Sequence, residues 1–130
     1  MLRRAPGGRS PGSWEAVHGH IEDEEAPTDA AWREVKEETG LVPARLYNLS
    51  RAEWFYLHRA DVVVVVPAFA VFVVDGEVTL SAEHDAWQWL PIAEARTRCA
   101  WPRIRRALDD IGALLGKGEA GALEDVLRVR

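Results

Sequence analysis

A chain of 130 residues fits one domain of ordinary size, and its 48% hydrophobic and 28% charged residues exclude a disordered or low-complexity scaffold. One cysteine, Cys99, excludes an internal disulfide; the longest apolar run, 62–74, contains Pro67 and falls short of the roughly 18 to 20 residues of a bilayer span; and the polar start, Met1 to Gly8, lacks a signal peptide's apolar core, so a cytoplasmic protein is expected. The net charge of −5 is local: residues 19–41 hold eight acids and two bases, the other 107 hold 13 acids and 14 bases, and such a single-sign cluster suits a cation and disfavours bare nucleic acid.

In chain order, 5–13 is rich in turn formers and reads as a loop. Residues 14–21 alternate large apolar with polar residues, from Trp14 through Ala16 or Val17 to Ile21, and read as a short strand. Thr28 is the expected N-cap of a helix over 29–39, which Gly40 closes in the left-handed position and Pro43 prevents from continuing. Strands are expected over 47–57 and 62–74, the second buried on both faces because it is almost continuously β-branched or aromatic. Asp75-Gly76 then predicts a turn, with 77–80 pairing back as a hairpin. A short strand over 87–90 ends at Pro91, and apolar residues at helical spacing from Ile104 to Leu115 predict a helix of about 14 residues starting at Pro102 and ending at Gly116. A last short amphipathic piece covers 122–129.

Chemistry concentrates in the first helix. Glu34, Glu37 and Glu38 stand at i, i+3 and i+4, so their carboxylates share a face. A solvated helix face is the plain reading of such a run. Against it, Glu34 and Glu38 repel at i,i+4, and all three acids lie in the half of the helix where the macrodipole disfavours anions by roughly 0.3 to 1 kcal/mol near the end. A hard divalent cation among the oxygens would repay both costs.

From Gly19 the pattern runs Gly19, five residues, Glu25, seven residues, Arg33-Glu34-Val35, one residue, Glu37-Glu38, one residue, Gly40-Leu41. This resembles the Nudix box, G-x5-E-x7-R-E-U-x-E-E-x-G-U with U aliphatic, at all nine defined positions. The resemblance implies an α/β (α+β) fold in which a mixed sheet lies between helices, an α/β/α sandwich, with the single domain spanning 1–130 and the box at 19–41. It also implies hydrolysis of a nucleoside diphosphate linked to another group, with Mg2+ or Mn2+ as cofactor. Its metal ligands would be Glu34, Glu37 and Glu38, joined by the Gly19 carbonyl, while Arg33 would orient carboxylates and Glu25 would support them from behind. Glu83, in Glu83-His84-Asp85-Ala86-Trp87, looks like the family's later acidic segment and is expected as a further metal ligand or the base. His84 reads as structural.

The stretch leading into the box, Trp14-Glu15-Ala16-Val17-His18-Gly19, has His18 where the commoner proline stands. With the later Trp-Pro-Arg stretch it is similar to the dATP pyrophosphohydrolase or dihydroneopterin triphosphate pyrophosphatase branch, which releases pyrophosphate from a triphosphate. ADP-ribose, diadenosine polyphosphates and a catalytically silent nucleotide-binding module remain as alternatives. Arg3, Arg4, Arg9, Arg103, Arg105 and Arg106 are candidates to meet phosphates, and Trp14, Trp54, Trp87, Trp89 and Trp101 to stack on a base. The expected partner is a small nucleotide, with no nucleic-acid polymer and no membrane. A homodimer, frequent in the family, stays open. Family members also usually have more strand ahead of Leu2-Arg3-Arg4, so a short or missing first strand is expected.

Overall fold

The computed structural model describes residues 1–130. Strands β1 (Leu2–Arg4) and β2 (Trp14–Glu15) are followed by helix α1 (Pro27–Thr39), then by two long strands, β3 (Pro43–Leu57) and β4 (Val62–Val73). Strand β5 (His84–Trp87) and helices α2 (Ile92–Arg98) and α3 (Pro102–Leu115) come next, and a 3-10 turn (Gly121–Leu123) runs into the short α4 (Glu124–Leu127). The α+β class expected from the sequence is the class observed. The expected mixed sheet is corrected, because all strand pairings are antiparallel, in a three-stranded sheet of order β2-β1-β5 and a two-stranded β3-β4 hairpin. Leu2–Arg4 is the middle strand of the first sheet, and Leu2 is buried there.

Strand β3 divides into two halves at an irregularity between Asn48 and Arg51. Ser50 takes a positive φ of 51°, and the Asn48 Oδ1 accepts a hydrogen bond from the Ser50 N–H at 2.8 Å, which closes this local kink. Before it, Tyr47 and Leu49 join Ala70, Leu115 and Leu127 in the core, with Phe72 and Ile111 packed against them. Beyond it the hairpin projects. The expectation that 62–74 is buried on both faces is corrected here: Val63 and Val65 are 63% and 64% exposed and pair with the equally open Tyr56 and Trp54. A β-branched run reports strand propensity, and only the layers around a strand decide which of its faces are covered.

Other boundaries also move. Helix α1 begins at Pro27 with Ala26 as its N-cap and no side-chain cap, so Thr28 lies inside the first turn. Proline at the first helical position supplies the helical φ and lacks the N–H that would have needed a cap. Gly40 ends the helix as expected, at φ 68°, its N–H donating to the Lys36 carbonyl at 2.8 Å. The strand read over 14–21 is only Trp14–Glu15, with Glu15 inward. The hairpin at 77–80 does not form. Instead the Thr79 N–H donates to the Thr39 carbonyl at 2.8 Å and the Ser81 N–H to the Glu38 carbonyl at 3.3 Å, satisfying carbonyls that the last helical turn leaves open. The strand expected at 87–90 lies earlier, at His84–Trp87, and α2 was not expected. Helix α3 matches its predicted span.

Candidate functional site

The crossing of 79–81 over the end of α1 assembles the site, because it brings the start of β5 beside the acids of the helix. Helix α1 buries Ala30, Val35, Glu38 and Thr39. A buried glutamate among those residues is costly unless it is paired, and Glu38 is 5% exposed with no hydrogen-bond partner for its Oε2. Burial pushes its carboxyl up to about 8, the charges of Glu34, Glu83 and Glu15 push the same way, and the His18 backbone N–H opposes them. Three carboxylates, Glu34, Glu83 and Glu15, therefore lie close enough to act on Glu38.

Glu34 lies against Gly19. A Cβ at position 19 would fall 1.9 Å from the Glu34 Oε1, so only glycine lets the loop and the carboxylate approach this closely. Arg33 organises the rest. Its guanidinium donates to Glu25 Oε1 and Oε2 at 2.9 Å each, to Glu34 Oε1 at 2.7 Å, to Glu37 Oε2 at 3.0 Å and to the His20 carbonyl at 3.0 Å. One side chain thereby ties the 20–25 loop to α1, and its hydrogen bonds hold the Glu25 carboxyl at about 2, well below the usual range. Glu37, though, is largely exposed, and no three acidic, histidine or cysteine side chains converge to ligand spacing. Glu83 is also open, and its Oε2 accepts from Arg4 Nη1 at 2.5 Å.

The donor set suits a hard divalent ion: carboxylate oxygens, one buried and unpartnered, beside a glycine whose missing side chain leaves backbone and carboxylate in contact. Glu34 and Glu38, with Glu37, Glu83 and the Gly19 carbonyl, are the residues available to hold it.

A second cluster escaped the sequence reading. Glu15, 2% exposed on β2, has its Oε1 3.3 Å from His84 Nε2 and 3.3 Å from Arg4 Nε, while its Oε2 accepts from Trp101 Nε1 at 3.1 Å. Its only sequence signal is an acid within a short alternating segment, and nothing local to that segment says that the acid is the residue turned inward. His84 is buried, as its structural reading anticipated.

The arginine and tryptophan candidates disperse. Arg3 pairs with Asp85, Arg105 donates to the Cys99 carbonyl, and Arg106 pairs bidentately with Glu53. Trp14 is covered by the Arg98 guanidinium, and Trp54 and Trp89 are exposed. Arg4, Arg9, Arg103 and Arg106 do meet around an open cleft of about 320 Å³ that His18, Glu15 and Trp101 also line. His18 connects the two regions, since its backbone acts on Glu38 and its side chain faces the cleft.

Residues 1–111 match the model of the NUDIX domain. The chain is 38% identical over 112 residues to an octanoyltransferase of Myxococcus xanthus, an alignment covering 83% of this chain but 30% of that protein. It is 32% identical over 100 residues to the asymmetrical bis(5'-nucleosyl)-tetraphosphatase of Rattus norvegicus, covering 75% of this chain and 68% of the relative. A NUDIX hydrolase of Listeria monocytogenes superposes with a TM-score of 0.72 at 27% identity, covering 89% of this chain and 82% of that one. For the dihydroneopterin triphosphate pyrophosphohydrolase of E. coli the TM-score is 0.67 at 25% identity, with 84% and 81% covered. With its motif of acids set at the end of α1 and its fold shared with these structures, the chain belongs to the NUDIX domain family.

Proposed function

We propose that the chain hydrolyses a nucleoside diphosphate linked to another group, with Mg2+ or Mn2+ held by Glu34, Glu37, Glu38, Glu83 and the Gly19 carbonyl. The observation that carries this is Glu38: a buried carboxylate, raised to about 8 and with an unpartnered oxygen, placed among other acids. Such an arrangement costs stability and is repaid by a cation. When bound, the ion supplies neutralisation of phosphate oxygens and an activated water. Arg33 sets the directions of Glu34 and Glu37, and Glu25 holds Arg33 from the far side. Glu83, tied to Arg4 from the turn just before β5, would accept a proton or add a ligand oxygen.

The preferred substrate is a nucleoside or pterin triphosphate, cleaved to release pyrophosphate; the likeness to the E. coli pyrophosphohydrolase supports this. A dinucleoside polyphosphate is the second reading, supported by the 32% identity to the rat tetraphosphatase. A small-molecule substrate suits a cleft of about 320 Å³. No helix is long and apolar enough to cross a membrane, and a cytoplasmic location with Cys99 reduced belongs to the same proposal.

The test is product identification with dNTPs, dihydroneopterin triphosphate, ADP-ribose and diadenosine tetraphosphate, with Mg2+ or Mn2+ and with EDTA. EDTA-sensitive pyrophosphate release from a triphosphate is the expected result. Turnover of the dinucleotide alone would move the substrate to the second reading. Binding of nucleotides without turnover of any of them would overturn the proposal in favour of a nucleotide-binding module.

A further inference from the structure

Beside the acids, the cleft is built around a cation that the fold does not neutralise. Arg4 is committed to Glu15 and Glu83, and Arg106 to both oxygens of Glu53 at 2.7 Å. The cleft's two carboxylates are likewise taken, Glu15 by Arg4 and Trp101, and Glu53 by Arg51 and Arg106. Arg103 forms no ion pair. Its guanidinium carbon sits 5.2 Å from the Phe55 ring centroid and 5.0 Å from that of Trp101. These rings fix its position, and burial pushes its pKa below the usual arginine value, the mark of a charge partly removed from water.

Two consequences follow from this arrangement. A guanidinium packed against two rings and free of any carboxylate keeps its planar fork of N–H donors for an incoming anion, and that fork suits a bidentate phosphate oxygen pair. The same packing covers Phe55 and Trp101 with a cation, so a nucleobase cannot stack on those faces without displacing Arg103. At those two rings the cleft therefore favours an anion over a base, and an aromatic face stays open only at Trp54. Arg9, on its rim, also makes no side-chain ion pair.

We propose that Arg103 is a specificity-determining residue that binds the phosphate chain of the substrate beyond the diphosphate handled by the acids. Substrates with three or more linked phosphates are then preferred over diphosphate-linked ones. This rests on the reading of the acid cluster as the hydrolytic site.

The test separates binding from turnover. Calorimetry in EDTA with inorganic tripolyphosphate and with pyrophosphate compares the unaltered chain with R103M, R103K and a control, R96Q, whose arginine pairs with Asp109 on the surface. R103M should weaken binding of both anions about ten-fold or more, because without a cation the acids offer neither of them a site, R103K should be intermediate, and R96Q should leave both unchanged. In steady-state assays with Mg2+, R103M should raise KM for ATP or diadenosine tetraphosphate about ten-fold relative to ADP-ribose, with kcat nearly kept. A larger effect on ATP assigns the subsite to a terminal phosphate, and a larger effect on the dinucleotide assigns it to an internal one. No tripolyphosphate binding by the unaltered chain, or equal binding by a folded R103M, overturns the subsite. If R103M fails to fold, R103K decides by the same comparison. Tripolyphosphate binding that depends on Arg103 without turnover of any substrate would sink the hydrolytic reading and leave the subsite standing; turnover indifferent to Arg103 would do the reverse.

Discussion

Glu38 shows what a single side chain can reveal about a site. A carboxyl whose pKa is raised by folding binds its proton more tightly in the folded chain. The stability it contributes is complete below about 4.5 and is lost as pH rises through about 8. In EDTA the melting temperature should therefore fall between pH 5.5 and 8.5 by several degrees more than in Glu38→Gln, and Mg2+ at pH 8.5 should restore the unaltered chain more than the variant. Parallel pH profiles for the two proteins would show that Glu38 is not the buried, titrating acid. Gly19 makes the complementary case. In Gly19→Ala the new Cβ would meet the Glu34 carboxylate, the far end of a flexible side chain that can swing aside. The fold should survive with a small loss of melting temperature, while kcat falls about ten-fold or more because Glu34 has left its place. A large stability loss with activity per folded molecule unchanged would separate Glu34 from the chemistry.

At the scale of elements, the start of α1 yields a test of capping. Thr28 in a residue-by-residue reading is the N-cap, and its loss would cost about 1 kcal/mol. In the fold Pro27 occupies the first helical position and Ala26 caps without a side-chain bond, so Thr28→Ala should cost less than about 0.5 kcal/mol by urea unfolding. The C-terminal end of the same helix was readable because Gly40 has one dominant use there. The segment after it was not: 77–81 carries a hairpin pattern, but the open carbonyls of Thr39 and Glu38 compete for its N–H groups and win. That competition places Glu83 beside the acids.

Across the whole molecule, Glu15 joins three elements far apart in the chain. It receives Arg4 of β1, His84 of β5 and Trp101 at the head of α3, all from a nearly inaccessible position on β2. Removing it would leave Arg4 and the Trp101 N–H short of their acceptor, and removing one partner of a buried pair costs about 3 to 5 kcal/mol. Glu15→Ala should lose stability on that scale in denaturant titration, and Glu15→Gln, which keeps an acceptor for Trp101, should lose less. Equal and small losses would mean that water replaces the carboxylate and that the three elements are held by packing alone.

The sequence by itself determined the acid pattern from Gly19 to Leu41, the α+β class and the span of α3, because each rests on local spacing: carboxylates one turn apart, a glycine at a left-handed cap, apolar residues at helical period. The tertiary structure alone decided which of those acids is buried, which face of the long hairpin stays open, and that Arg103 lies between aromatic rings without an ion pair. Those properties depend on what other elements bring alongside. Glu34 and Glu38 differ from Glu37 through the layers packed on α1, and Arg103 differs from Arg106 only because Glu53 lies within reach of one and aromatic rings hold the other.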